Sequence, residues 1–268
     1  MSASNYPHVM AEVFKHEGGY VDHPRDPGGA TNLGITHLTL AAHRGRKVTK
    51  ADVKALGKQE AENIYRKSYW AKVHGDHLPY GLDLVAMDGA VNSGPSRGAK
   101  WLQRGVGAKA DGKIGGQTIE AARAADVGAI ERACDARMSF LRGLKHWGTF
   151  GKGWSRRVAS VEAVGTRMWL TAAEGTKAAR TGMQERADRA VVQAQDERRA
   201  GAAQVSTTTG GSVGGATLAD LPTTAIIALA LGAVIAAALL YMRAQRKARY
   251  HEDRREAYAA QQEVLNNA

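Results

Sequence analysis

The sequence predicts an all-α (mainly α) protein, and three observations carry that expectation. Apolar residues recur at three- and four-residue intervals, Gly, Pro and Asn clusters separate these blocks, and no segment shows the strict alternation of a half-buried strand. Late in the chain, an uncharged apolar run from Leu221 to Met242 is 22 residues long, about 33 Å as a helix and enough to cross a bilayer core. The 268 residues, 44% hydrophobic and 24% charged, supply one or two packed domains with appendages.

Taken in order, Val9, Met10, Val13 and Phe14 predict a first amphipathic helix. It should stop at Gly18-Gly19, where glycine takes the left-handed conformation without strain, leaving Glu17 on its last turn. Between Asp22 and Gly34 the density of Pro, Gly, Asp and Asn forbids a regular element and predicts a shaped loop. A short hairpin within residues 20–37 is compatible with that reading. Further helices are expected over Leu38 to Arg44, Lys50 to Ala55, Lys58 to Trp70 and Leu82 to Asn92.

Asn92-Ser93-Gly94-Pro95 marks a boundary, followed by helices over Ala99 to Gly105, Gly116 to Ala125 and Ile130 to Leu144. Residues 171–204 have many charges and alanines but few large apolar side chains, which predicts a solvated helix rather than core. Ser206 to Gly215 has the composition of a flexible linker. The expected organisation is therefore 5–93, 94–168, a charged helical spacer 169–204, a linker 205–220, a transmembrane helix 221–242 and a basic tail 243–268.

Charge and cysteine content narrow the function classes. Residues 1–170 hold 25 Lys+Arg against 16 Asp+Glu, a net +9, and the remaining 98 hold 12 against 10, a net +2, in a total of +11. A basic folded region attracts polyanions, including anionic lipid and the acidic polymers of a cell wall. No helix-turn-helix, zinc-finger or aromatic RNA-binding signature accompanies it, so nucleic acid is not the expected partner. Cys134 stands alone, which rules out an internal disulfide and suits a small buried apolar residue. His23, His37, His43, His74 and His77 show no metal-ligand spacing, and neither a metal nor a cofactor is expected.

Chemistry concentrates in one stretch, from His16-Glu17-Gly18-Gly19-Tyr20-Val21-Asp22 through Asp26-Pro27-Gly28-Gly29-Ala30-Thr31-Asn32 to Gly34-Ile35-Thr36. Glycoside hydrolysis needs a carboxylic acid that protonates the leaving oxygen, and a carboxylate or positioned water on the opposite face of the sugar. Val13 and Phe14 can desolvate Glu17, and the negative end of the helix dipole lies beside it. Both favour the neutral carboxyl that a general acid requires. Asp22 and Asp26 can fold back over the helix end, with Thr31, Asn32 and Thr36 able to orient water. The competing reading makes the aspartates turn caps and Glu17 a solvated helix-end charge.

These residues resemble the signature of glycoside hydrolase family 108, the TtsA-like N-acetylmuramidases. Ile64-Tyr65-Arg66, Tyr69-Trp70, Leu78-Pro79 and Asp88 with Ala90-Val91-Asn92-Ser93-Gly94 extend the resemblance over residues 5–94. It implies a lysozyme-like fold, peptidoglycan glycan strands as substrate, no cofactor, and Glu17 as the catalytic residue. The spacing Glu17, Asp26, Thr31 is also similar to the Glu, Asp, Thr triad of phage-type lysozymes. It implies Asp26 as base or electrostatic stabiliser, with Asp22 a rival and Asn32 able to stand in for Thr31. Tyr20, Asp22, Asn32, Tyr69, Trp70 and Asn92 are the candidate substrate contacts. Tyr65, Tyr69 and Trp70 share a helical face that is either core or, for one of them, a sugar-stacking surface.

Residues 94–165 resemble a peptidoglycan-binding domain through Trp101-Leu102-Gln103-Arg104, Gly107, Asp111-Gly112-Lys113-Ile114-Gly115 and Thr118, with Gly116 where that pattern has proline. The same residues also read as core and turn. Met1 to Pro7 does not read as a secretory signal. Arg243, Arg246, Lys247 and Arg249 follow the apolar run, whereas residues 201–220 contain no Lys or Arg. The positive-inside bias then places the tail in the cytoplasm and the enzyme in the periplasm, on the inner membrane. The difficulty is carrying a folded N-terminal region across, and a holin or secretion pore is the candidate partner that would release it. Two rivals remain open: a lytic transglycosylase at the same site, and a non-catalytic membrane-tethered murein adaptor.

Overall fold

The computed structural model describes residues 5–22, 29–210 and 223–267, and is 81% helical with 2% strand. Two compact units divide the chain, Met1–Ala179 and Arg180–Ala268.

In the first unit, α1 (Tyr6–His16) buries Tyr6, Val9, Met10 and Val13, the stripe read from the sequence. Its end differs from expectation. Gly18 and Gly19 are not left-handed; Glu17 itself leaves the helical region at φ −92°, ψ 130°. A two-residue hairpin follows, β1 (Thr31–Asn32) pairing antiparallel with β2 (Ile35–Thr36). Leu33 and Gly34 form its turn with φ 50° and 72°, the doubly positive geometry that matches strand twist.

Local caps set the next elements. Thr36 accepts from the Thr39 amide to open α2 (His37–Arg44), and Thr49 with Asp52 forms a capping box on α3 (Lys50–Lys54). The helix expected over Lys58 to Trp70 is α-helical only to Tyr65 (α4, Lys58–Tyr65), then widens into a π turn, Arg66–Trp70. The wider turn brings residues five apart onto one face, so Tyr65 and Trp70 are both fully buried. Two 3₁₀ turns, Ala71–Val73 and Gly75–His77, lead to α5 (Leu82–Ser93), whose residues Leu82 through Ala90 are all buried.

That helix is the centre of the unit. The boundary expected at residues 92–95 falls at the turn into α6 (Pro95–Gly105), which packs along α5 without a gap. A Cβ on Gly98 would lie 2.6 Å from the Ala90 nitrogen, so the crossing tolerates glycine only. The α6 helix meets α8 (Gly128–Arg142) the same way, where a Cβ on Gly105 would lie 2.5 Å from the Ala129 oxygen. Trp101 and Leu102 are core. Buried Gln103 donates to Asp111 (2.8 Å), the Lys113 carbonyl (3.0 Å) and Thr118 (3.2 Å), and accepts from the Gly112 amide, fixing the loop before α7 (Gly116–Ala124). Cys134 is buried in α8.

The long α9 (Trp147–Gly210) breaks once, at Gly175 (φ 84°, ψ 170°). Its first half packs on the unit through Val158, Ala159, Val161, Ala163 and Val164, and Gly81 meets Gly165 at backbone contact.

In the second unit, the later part of α9 runs antiparallel to the C-terminal part of α10 (Thr223–Asn266). Arg180 donates to the Leu265 carbonyl, Lys247 pairs with Glu197 at 2.9 Å, Arg198 pairs with Glu252, and Gly201 lies against Ala244. Met183, Ala187, Ala190 and Ala194 are buried on one helix, Ala244, Ala248, Tyr258 and Leu265 on the other. Residues 171–204 thus contribute a buried seam, not only a solvated surface: Met183, Ala187, Ala190 and Ala194 are spaced 4, 3 and 4 apart on one helical face, and the three alanines let two helices approach closely. Among the described residues, α10 is the one helix long and apolar enough to cross a membrane, with Ile227, Leu229, Leu231, Val234, Ile235 and Leu239 exposed.

Asp83, at the start of α5, accepts from Asn5 and from the Gly81 and Leu84 amides, yet burial outweighs these bonds and pushes its carboxyl up to about 7. The folded state therefore holds its proton over a window in which the unfolded chain has lost it. This stabilisation is complete below about pH 4 and disappears as pH rises through about 7. Melting temperatures from pH 5 to 8 should fall more steeply for the wild type than for Asp83→Asn, and parallel curves would show that Asp83 does not titrate there.

Candidate active site

Glu17 projects from the foot of α1 with 16% of its side chain exposed. Its partner is invisible in local sequence: Arg157 of α9, 140 residues away, donates through Nη2 to Glu17 Oε1 at 2.8 Å. The same nitrogen donates to Asp88 Oδ1 at 2.7 Å, and Arg157 Nε donates to it at 2.9 Å. Arg137 of α8 completes the cluster, giving its Nη1 to Asp88 Oδ2 at 2.6 Å. Asp88 is wholly buried in α5. Burial would raise its carboxyl, but the two guanidinium charges win and hold it at about 2.

The hairpin turn closes the other side of Glu17. Tyr65 donates its hydroxyl to the Leu33 carbonyl at 2.9 Å, holding that turn against α4. A Cβ on Gly34 would collide with the Tyr65 hydroxyl and lie 2.5 Å from Glu17 Oε2, so glycine is required here for space as well as for φ. Phe14 packs edge-on to Tyr65 at 5.6 Å, and Tyr65 stacks with Tyr69 at 5.5 Å. Burial, reinforced by the Glu17 charge, raises both phenols, which stay neutral donors at physiological pH. His16 sits by the same cluster, where burial lowers its imidazole although Asp88 opposes the shift.

The remaining candidates divide. Tyr69 is half-buried and electrostatically coupled to Glu17. Tyr20 is half-buried beneath the Lys54 ammonium, 5.9 Å from the ring centroid. Thr31 is in β1 with its hydroxyl 3.4 Å from the Gly29 carbonyl, and Asn92 accepts from Ser93 at 3.1 Å near the end of α5. Trp70 does not face substrate: it is 1% exposed, donates to Asp76 at 2.8 Å and stacks edge-on to Tyr6. Asn32 gives its amide to the Val53 and Lys54 carbonyls, both at 3.1 Å, and so ties the hairpin to α3. Asp22 is paired with Lys50 at 3.1 Å. Asp26 lies outside the described residues.

Sequence reasoning missed Arg137 and Arg157. The available signal was an arginine spaced with Cys134, Met138 and Leu141 on one helix, and with Val158 and Val161 on another. A charge bordering a buried stripe needs a partner, but the pattern does not say which.

A helical scaffold that holds a partly buried glutamate beside a glycine-tight hairpin is compatible with a glycoside hydrolase, and comparisons with known proteins identify it as one. The model of the family described as Glycosyl hydrolase 108 matches residues 10–94. Among solved structures, that of SagA from Brucella abortus is 50% identical, covering 62% of this chain and 97% of that one at a TM-score of 0.57. No curated protein matches. The chain belongs to glycoside hydrolase family 108, and that membership points to hydrolysis of peptidoglycan.

Arg157→Lys keeps the charge but loses the fork that spans two carboxylates. Peptidoglycan turbidity clearance should fall roughly tenfold, as expected when a reacting group loses its fixed position, while the variant still melts cooperatively. Clearance at the wild-type rate would separate Arg157 from the reaction.

Proposed function

We propose that the protein is an N-acetylmuramidase, hydrolysing the bond between N-acetylmuramic acid and N-acetylglucosamine with Glu17 as general acid. The observation that carries this reading is the fixed position of Glu17 at the foot of α1. Its Oε1 faces Arg157 and its Oε2 lies against Gly34. A carboxyl held in one position meets the glycosidic oxygen without reorganising first. Arg157 is a positioning residue, since it reaches the carboxylate and is itself anchored by buried Asp88.

Asp26 supplies the second carboxylate, as base or electrostatic stabiliser. The Lys50 ion pair of Asp22 favours that choice over its neighbour. Thr31 orients the attacking water, and Tyr20, Tyr69 and Asn92 border the sugar. Glu17→Gln should abolish clearing in a peptidoglycan zymogram, losing at least about 10²-fold in rate. Clearing equal to wild type removes Glu17 from the reaction. Reducing ends in the wild-type products fit hydrolysis, whereas anhydro ends identify a lytic transglycosylase at the same site.

The apolar stretch of α10 anchors the enzyme to the inner membrane, in a phage-lysis or secretion setting with release through a holin or secretion pore. Orientation follows from two mutually exclusive arrangements. The antiparallel pairing of α9 with α10 requires residues 180–204 and 244–265 on one side of any membrane. A single span with the tail in the cytoplasm and the enzyme in the periplasm separates them. The closed hairpin is the form before insertion, and the span is the form that reaches the wall. Protease should digest the enzyme domain in intact spheroplasts once the span has formed, and complete protection in the membrane fraction rejects the periplasmic orientation.

A further inference from the structure

The first turns of α9 carry an aromatic cluster that neither the ion-pair network nor the core uses. Trp147 and Trp154 have ring centroids 6.2 Å apart, and Phe150 and Trp154 are 5.7 Å apart at a 35° tilt. Phe150 is 53% exposed, and the two indoles are half-buried. Aromatic side chains in contact usually gain by being covered, so an exposed group on a folded unit marks a surface built to be covered by something else.

The local sequence shapes this surface. Gly148, Gly151 and Gly153 occupy helical positions that alanine would favour. At Gly151 the missing side chain makes room for an indole: a Cβ there would lie 2.6 Å from two atoms of the Trp147 ring. No atom outside the helix lies within 4 Å of where a Cβ would sit on Gly148 or Gly153. The indole therefore lies against the helix backbone, beside open space.

Position links the cluster to the candidate site. At about 100° and 1.5 Å per residue, Phe150, Trp154 and Arg157 share one narrow sector of α9, with Trp147 at its edge. Arg157 is one turn beyond Trp154 and touches Glu17. The three rings extend about 10 Å along the helix, a length that suits neighbouring sugars of a glycan strand.

We propose that Trp147, Phe150 and Trp154 form a sugar-stacking subsite, which holds the glycan strand on one side of the bond that Glu17 attacks. The apolar faces of pyranose rings pack on these aromatics, and substrate grip thus comes from a helix outside residues 10–94. The inference rests on the reading of Glu17 as the reacting group.

The test uses the full chain and soluble glycan strands freed of peptide. Phe150→Ala is the decisive variant because its side chain is already exposed, with Trp154→Ala and Trp154→Phe beside it and thermal melting as the folding check. Loss of a stacked ring should raise KM about three- to tenfold with kcat unchanged, and Trp154→Phe should recover most of that loss. Wild-type KM in Phe150→Ala and in a folded Trp154→Ala overturns the subsite, as does a fall in kcat alone. Glu17→Gln in the same assay keeps the two ideas apart. If it is inactive while the aromatic variants behave as wild type, only the subsite fails. If it is fully active while Phe150→Ala still raises KM, the reading of Glu17 fails and a glycan-holding surface stands.

Discussion

Asp88 is a carboxylate with no exposed surface, and it is ionised. A buried charge on the central helix must be matched by opposite charge, and removing a partner from such a pair typically destabilises by about 3–5 kcal/mol. Arg137 and Arg157 supply the match from α8 and α9. That requirement ties the segment matched by the family to helices that follow it, and it brings Arg157 to Glu17. The placement of Glu17 is therefore a by-product of neutralising an aspartate.

Guanidinium groups reach Asp88 because the helices around it lie close together. Gly89 against Gly98, Gly105 against Ala129 and Gly81 against Gly165 are crossings at which a side chain would push the elements apart. The small residues exact a conformational entropy penalty, and close packing with charge pairing offsets it. The boundary read at Asn92 to Pro95 is a chain turn inside this packing, and the residues resembling a wall-binding motif serve the core and a loop: Trp101 is buried, and Gln103 organises residues 111–118.

The second unit follows a different rule. Its seam combines alanine and glycine with the buried side chains of Met183, Tyr250, Tyr258 and Leu265, and cross-helix ion pairs join the two helices. The same α10 carries an apolar stretch left exposed by that pairing.

Much of this was legible in order along the chain. The helical periodicity located α1, α2 and α5 to α8 within a few residues, because apolar spacing and turn residues act locally. The Glu17 to Thr36 stretch stood out because no helical or strand periodicity calls for its glycines and aspartates. Trp70 and Asn32 looked like substrate contacts, but a π turn buries the first and the carbonyls of α3 claim the second. Neither a hydrogen-bond partner nor a helical defect can be read from residue types. The sequence by itself determined the elements, the exposed apolar helix and a glutamate at the end of α1, since these depend on neighbours three or four residues away. Only the tertiary structure decided what faces that glutamate, because electrostatic partners are chosen by distance in space, and Arg157 is 140 residues distant in sequence.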